Sequence, residues 1–245
     1  MQIIPVLDVA QGQVVRAVRG QRSAYRPMRS QLAAGSDPVD LAHALRAHPA
    51  VVAAPTAQAV MTRSPAHAVL YAADLDALGG GAPQAACWAR LLAAWPQMQL
   101  WLDAGFEDGA QGQALRRQLG TLGERLRPVH GSESLRSRAA LAAIAQDPQA
   151  ILSLDCRGGQ ALDPAACWQA PSLWPRTVIV MTLDRVGAAA GPDLDTLAQL
   201  RARAPDPGRR WIGAGGVRVQ ADVERAAAAG AQAWLVASAL HDGTL

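Results

Sequence analysis

The 245-residue chain contains no lysine: all 23 of its basic residues are arginines. Without an amine side chain no enzyme-bound Schiff base forms, which excludes class I aldolase chemistry and lysine-anchored pyridoxal phosphate. Cysteine is scarce too, three residues in all. Cys87, Cys156 and Cys167 show neither CxxC spacing nor histidines at ligand spacing, so reduced buried thiols are expected rather than a metal site. No apolar run approaches the roughly 18 residues of a membrane span. The opening MQIIPVLD also lacks the basic region and longer apolar core of a signal peptide, so the expectation is a cytoplasmic protein without a membrane partner. No Ser- or Pro-rich linker divides the chain, which reads as a single domain over 1–245. The net charge of +3 is spread over scattered arginines rather than massed with aromatics, so nucleic acid is not an expected partner.

What is present is a repeated alternation. Short apolar runs at 3–8, 69–76, 99–105, 126–131, 150–155, 177–184, 210–216 and 233–239 read as eight strands, separated by helical patterns. Between 83 and 95, Trp88, Leu91, Leu92 and Trp95 share one helical face. Cap-like Asp37, Ser134 and Asp193 precede other helices, and each strand but the last is followed by one helix. No GxGxxG follows the first strand, which argues against an open dinucleotide-binding sheet, and the count of eight fits an α/β protein of the closed (β/α)8 barrel class.

The chain also answers itself. IIPVLDVAQGQVV at 3–15 faces AILSLDCRGGQAL at 150–162, ADLDALG faces TLDRVGA, WLDAGF faces WIGAGG with shared Trp, Ala and Gly, and HGSESL faces VASALH, all in the same order. This predicts two fused (βα)4 half-barrels, approximately 1–148 and 149–245. Two places fall outside the repeat. Residues 50–68 are an insertion before the second strand, and the chain ends shortly after the eighth strand, leaving no outer helix there. A second copy of the chain in a homo-oligomer, or residues 50–68, would cover that side.

In this arrangement Asp8 and Asp155 stand at the C-terminal ends of strands one and five, facing each other across the mouth where barrel active sites lie. Two such carboxylates suit acid and base work, one removing a carbon-bound proton and the other protonating an oxygen. Solitary strand-end aspartates more often bind backbone amides or arginines; the symmetric pair favours catalysis. Gly215 and Gly216 in GAGGVR, with Ala237 and Ser238 in VASAL, offer backbone N–H groups after strands seven and eight, where barrels commonly bind phosphate. Gly131 and Ser132 are the equivalent candidates in the first half, although Asp103 and Glu107 nearby would repel an anion. A long first loop carries Arg16, Arg19, Arg22, Arg26 and Arg29 around Tyr25, either closing over an anionic substrate, or remaining solvated or contacting a partner. Trp168 reads as a packing residue after strand five.

These motifs, IIPVLDVAQGQVVR, AADLDA, SLDCRGG and AGGV followed by VASAL, resemble the histidine-biosynthesis half-barrel family, which includes the ProFAR isomerase (HisA) and the imidazole glycerol phosphate synthase cyclase (HisF). The resemblance runs over nearly the whole chain, and SLDCRGG is more similar to the isomerase branch. It implies Asp8 as general base and Asp155 as general acid in an Amadori rearrangement, with Thr182 and Arg157 near the substrate and no metal or organic cofactor. The chain departs from the family in DAGFE where a GGGIR phosphate loop is expected, in Val186-Gly187-Ala188 after strand six, and in Ser238 beside Ala237. The resemblance therefore implies a HisA-related paralogue, an isomerase of a phosphorylated sugar or aminosugar. The alternatives are non-catalytic binding of a phosphorylated ligand or partner, and a HisF-like cyclase or lyase.

Overall fold

The computed structural model describes residues 1–19, 21, 24–52 and 68–245. Eight parallel strands form the barrel: β1 (Gln2–Ala10), β2 (Ala68–Asp74), β3 (Met98–Asp103), β4 (Leu126–Gly131), β5 (Ile151–Arg157), β6 (Thr177–Thr182), β7 (Arg210–Ala214) and β8 (Ala233–Val236). Each pairs with the next, and β8 pairs back onto β1 with Gln2 opposite Ala233 and Ile4 opposite Leu235, which closes the sheet. The predicted strands at 177–184, 210–216 and 233–239 end earlier, because a turn begins at Leu183, Gly215 and Gly216 enter the left-handed region, and another turn starts at Ser238.

Alternation along the strands divides the apolar residues into two cores. Ile4, Val6, Val69, Tyr71, Trp101, Val129, Ile151, Ile179, Ile212 and Leu235 fill the barrel interior. Leu7, Leu70, Leu100, Leu102, Leu152, Leu154, Val178 and Trp211 face outward into a larger core beneath the helices. The period of two is what carries Asp8 inward after Ile4 and Val6, and Asp155 inward after Ile151 and Ser153.

The repeated Gly-Gln has a backbone cause. After both β1 and β5 the chain doubles back in an antiparallel arm, Gln13–Arg16 on β1 and Gln160–Ala161 on β5. Each turn has two central residues, Gln11-Gly12 with φ of 50 and 73° and Gly158-Gly159 with φ of 58 and 72°. Positive φ at both positions is the two-residue hairpin turn that matches strand twist and favours glycine.

The outer layer consists of α1 (Pro38–Arg46), α2 (Ala85–Ala94), α3 (Gly109–Gln118), α4 (Arg138–Ile144), α5 (Leu194–Arg203) and α6 (Gln220–Ala228). Trp88, Leu91, Leu92 and Trp95 are buried together on the expected face. Asp37 and Asp193 cap α1 and α5 by accepting from Val39 N and Thr196 N. The cap of α4 is Ser137 rather than Ser134: Ser137 Oγ accepts from Ala140 N, while Ser134 N turns back to Gly131 O.

A second correction concerns the segment after β5, which has no α-helix. Two 3-10 turns, Cys167–Gln169 and Pro171–Leu173, stand in its place. Pro164, Pro171 and Pro175 each lack the N–H that a continuing helix needs. Trp174 instead packs edge-on against Trp211, with the Arg209 guanidinium 5.9 and 6.0 Å from the two ring centroids.

The eighth sector ends in one helical turn, Ser238–His241. The first loop meets it from within the same chain: Gln31 N donates to His241 O, Ser30 Oγ bonds His241 Nδ1 at 2.9 Å, and Arg16 pairs with Asp242. Within the insertion at 50–68, residues 53–67 lie outside the described residues. Among the described residues no helix is long and apolar enough to cross a membrane.

Candidate active site

At the C-terminal mouth of the barrel lies a cavity of about 420 Å³. Asp8 and Asp155 both line it, as the strand pattern predicts, but their surroundings differ. Asp155 is 4% exposed and held on all sides. Ser153 Oγ lies 2.6 Å from Oδ1, Glu133 N donates to Oδ2 at 3.2 Å, and the Asp155 N–H donates to Ser132 Oγ at 2.9 Å. Burial, together with the charges of Glu133 and Asp103, raises its carboxyl well above the usual range, against the opposing pull of the Ser153 and Glu133 hydrogen bonds. Asp8 accepts no hydrogen bond among the described residues, and desolvation alone raises its carboxyl to about 7.

Asp103 joins the floor as a third carboxylate, 7% exposed, with Oδ1 accepting from Gly105 N and Oδ2 facing the Tyr71 hydroxyl at 3.4 Å. Burial and the charges of Asp103, Asp155 and Asp8 push the Tyr71 phenol well up, which keeps it neutral. The match of WLDAGF with WIGAGG conceals this placement. Trp101 lies inside the barrel but Trp211 outside, and Ala104 lies outside but Ala214 inside. The two strands thus differ in register by one residue, which exchanges their faces. Counting in twos from Trp101 along β3 itself puts Asp103 inside. Glu107, the other acid of that loop, turns away and pairs with Arg136 at 2.7 Å.

Of the other predicted site residues, Gly215, Gly216, Ala237, Ser238, Arg157 and Arg16 line the same cavity. Gly216 has φ +83°, and a Cβ there would meet Gly191 O at 2.1 Å, so the backbone of β7's loop runs hard against that of β6's. Arg16 is bound to Asp242 by both terminal nitrogens, and Arg218, also at the rim, is held by Asp222. Arg185, whose Nη1 donates to Ala190 O, lines the rim as well. Sequence reasoning missed Tyr71, Glu133, Arg185 and Arg218, and read Asp103 only as a charge that would repel an anion.

Three predicted residues stand elsewhere. Ser132 is wholly buried, its hydroxyl engaged by Leu162 O, Asp155 N and Trp168 Nε1, so it orients the β5 strand end and does not reach an incoming phosphate. Gly131 lies beneath the carboxylates rather than at the rim. Thr182 points outward into a separate cavity of about 320 Å³, and its hydroxyl donates to Asp193 at 2.7 Å, tying β6 to the cap of α5. Inward residues of β6 are Ile179 and Met181, so the next position necessarily faces away. In the first loop, Tyr25, Ala17 and Met28 line the cavity, Arg19 lines the second cavity, and Arg22 lies outside the described residues. Arg19 N donates to Val186 O at 2.8 Å, so the loop spans the mouth from the sixth sector to the eighth. Among the described residues no group of three or more His, Cys, Asp or Glu side chains is arranged to hold a metal ion.

A family model described as "Histidine biosynthesis protein" matches residues 2–245. The chain is also similar to the uncharacterized protein MJ0703 of Methanocaldococcus jannaschii, with 22% identity over 246 residues that cover 100% of this chain and 95% of that one.

Proposed function

Since the chain belongs to the histidine biosynthesis protein family, we propose that it is an isomerase converting a phosphorylated aminosugar or sugar from aldose to ketose form, with Asp155 as acid and Asp8 as base. The observation that carries this reading is the pair of strand-end carboxylates in one cavity, raised to different degrees. Asp155, raised well above the usual carboxylate range by burial and by the charges of Glu133 and Asp103, keeps its proton for delivery. Asp8, at about 7, is ionised in a large fraction near neutrality and accepts one.

On an aldosylamine, Asp155 gives its proton to the ring oxygen as the C1–O bond breaks, leaving an open-chain imine. Asp8 removes the C2 proton to form an enolamine. Protonation at C1 and loss of the O2 proton complete the aminoketose, and both carboxyls return to their starting states. The side chains supply every proton transfer. One phosphate rests on the backbone of Gly215, Gly216, Ala237 and Ser238 at the rim, with Arg157 beside it. The first loop, through Tyr25 and Met28, limits access of water to the floor.

The deciding experiment is calorimetric titration and turnover assay with ProFAR and with ribose monophosphates, on the wild type and on Asp155→Asn. Turnover of either class that disappears in the variant, with affinity nearly unchanged, is the expected result. Retained turnover in Asp155→Asn, or no binding of any phosphorylated sugar, overturns the reading. The ionisation of Asp8 makes kcat/KM rise with pH through about 7.

A further inference from the structure

We propose that Asp103 and Glu133 are positioning residues that hold the proton on Asp155, by converging with it on the space that Gly131 leaves in having no side chain. A Cβ built on Gly131 would lie 3.0 Å from Asp155 Oδ2, 3.7 Å from Asp103 Oδ2 and 3.8 Å from Glu133 Cγ. Three acidic side chains from three consecutive sectors therefore meet around one missing methyl group. Gly131, predicted as a phosphate ligand, serves instead to let them meet. The inference rests on the assignment of Asp155 as acid.

Each acid is held in place. Asp103 is fixed from below by Gly105 N and from the side by the Tyr71 hydroxyl. Glu133 is tied to Asp155 through its own backbone, whose N–H donates to Asp155 Oδ2. Around them β1 contributes Asp8, β2 the neutral Tyr71, and β6 presents Met181 opposite Asp155. Arg157 at the end of β5 brings positive charge to the cavity. Arg185 at the rim is turned to Ala190 O, and the rim cations Arg16 and Arg218 are engaged by Asp242 and Asp222. Acids that converge on one point disfavour ionisation of the most enclosed among them, which is Asp155. Burial and both neighbouring charges act on Asp155 in that same direction.

The test follows the Asp155 carboxyl directly, by 13C NMR titration of uniformly labelled protein, in the wild type, Asp103→Asn, Glu133→Gln and the double variant. Each single variant should lower the Asp155 protonation constant by roughly tenfold, about one pH unit, and the double variant by more. Asp103→Glu should leave it near the wild-type value. Midpoints within about twofold of wild type in all three neutralising variants would overturn the proposal. Should Asp103→Asn not fold, Glu133→Gln decides alone. With a turned-over sugar phosphate in hand, the alkaline limb of the pH–rate profile should move to lower pH by the same amount, which a purely structural role would not produce. The titration needs no substrate: a shifted midpoint without turnover retains this inference while removing the isomerase reading, and turnover without a shift does the reverse.

Discussion

Replacing Asp8 with asparagine tests the electrostatics of the floor without reference to any substrate. In the folded chain the Asp8 carboxyl titrates near 7 rather than at 3.8, because burial disfavours its charge. The folded state therefore binds a proton, between those two values, that the unfolded state has already lost. Stability contributed by that proton is complete below pH 4, declines as pH rises, and is gone above 7. Three units correspond to about 4 kcal/mol at most. Asp8 borders the cavity, where water screens part of its charge, so about half of that, ~2 kcal/mol, is the working value. Asparagine copies the shape of the neutral acid and never ionises. Urea unfolding should find Asp8→Asn equal to wild type at pH 3.5 and more stable by ~2 kcal/mol at pH 8, or about 4–8 °C in Tm for a chain of this size. A stability difference that is the same at both pH values refutes a raised Asp8. A variant less stable than wild type at pH 8 would show that the ionised carboxylate has a partner.

Gly131→Ala places a methyl group 3.0 Å from Asp155 Oδ2, so one of the carboxylates must move. Circular dichroism should remain unchanged while turnover falls by about tenfold, since a shift of a few tenths of an ångström is smaller than the ~1 Å misplacement that costs about 100-fold. Gly216→Ala combines positive φ with a contact of 2.1 Å to Gly191 O, and should cost about 3 kcal/mol in urea unfolding. Asp242→Ala releases Arg16 and with it one end of the first loop. The pair is exposed, so global stability should change by less than about 1 kcal/mol, but limited proteolysis between residues 17 and 27 should accelerate several-fold.

The barrel was legible in the sequence because its causes are local. Eight apolar runs separated by helical faces require a parallel sheet, and the Leu-Asp pairs followed by Gly-Gln mark the ends of β1 and β5 with their left-handed turns. The missing helix after β5 was legible in principle, since Pro164, Pro171 and Pro175 stand where it would run. That Asp8, Asp155, Gly215 and Gly216 line one cavity was legible because strand ends and glycine turns are sequence features. Thr182 and Ser132 were misplaced for a common reason. A residue at a strand end faces the cavity or the helices according to a parity that a motif does not carry. Ser132 meets Leu162 and Trp168, contacts between segments about 30 residues apart that no spacing encodes. Asp103 was concealed by matching Trp101 to Trp211, where similarity of residues ran against similarity of register.

The internal repeat in the sequence accounts for two strand-end aspartates but not for the different roles proposed for them. Asp8 and Asp155 occupy equivalent positions on β1 and β5, preceded by the same Leu and followed by the same hairpin turn. Their division of labour lies two residues back and one strand away. Behind Asp8 stands Val6, and opposite it on β2 stands Ala73, so only desolvation acts on it. Behind Asp155 stands Ser153, and β4 delivers Gly131, Ser132 and Glu133 to its side, while Asp103 reaches it from β3. For Asp8 the positions that would crowd it follow β8, where Ala237 occupies the place of Gly131 and Ser238 that of Ser132. That strand end opens toward the rim, where the proposed phosphate sits, rather than closing over a carboxylate. The acids and the Ser132 hydroxyl around Asp155 thus come from the other half of the chain, and they suit it to the proposed role of proton holder. Asp8, between β8 and β2, meets Val6 and Ala73 instead, which suits it to the proposed role of proton acceptor. The asymmetry that the proposed acid–base pair needs comes from the neighbours, since the two strand ends are alike in sequence.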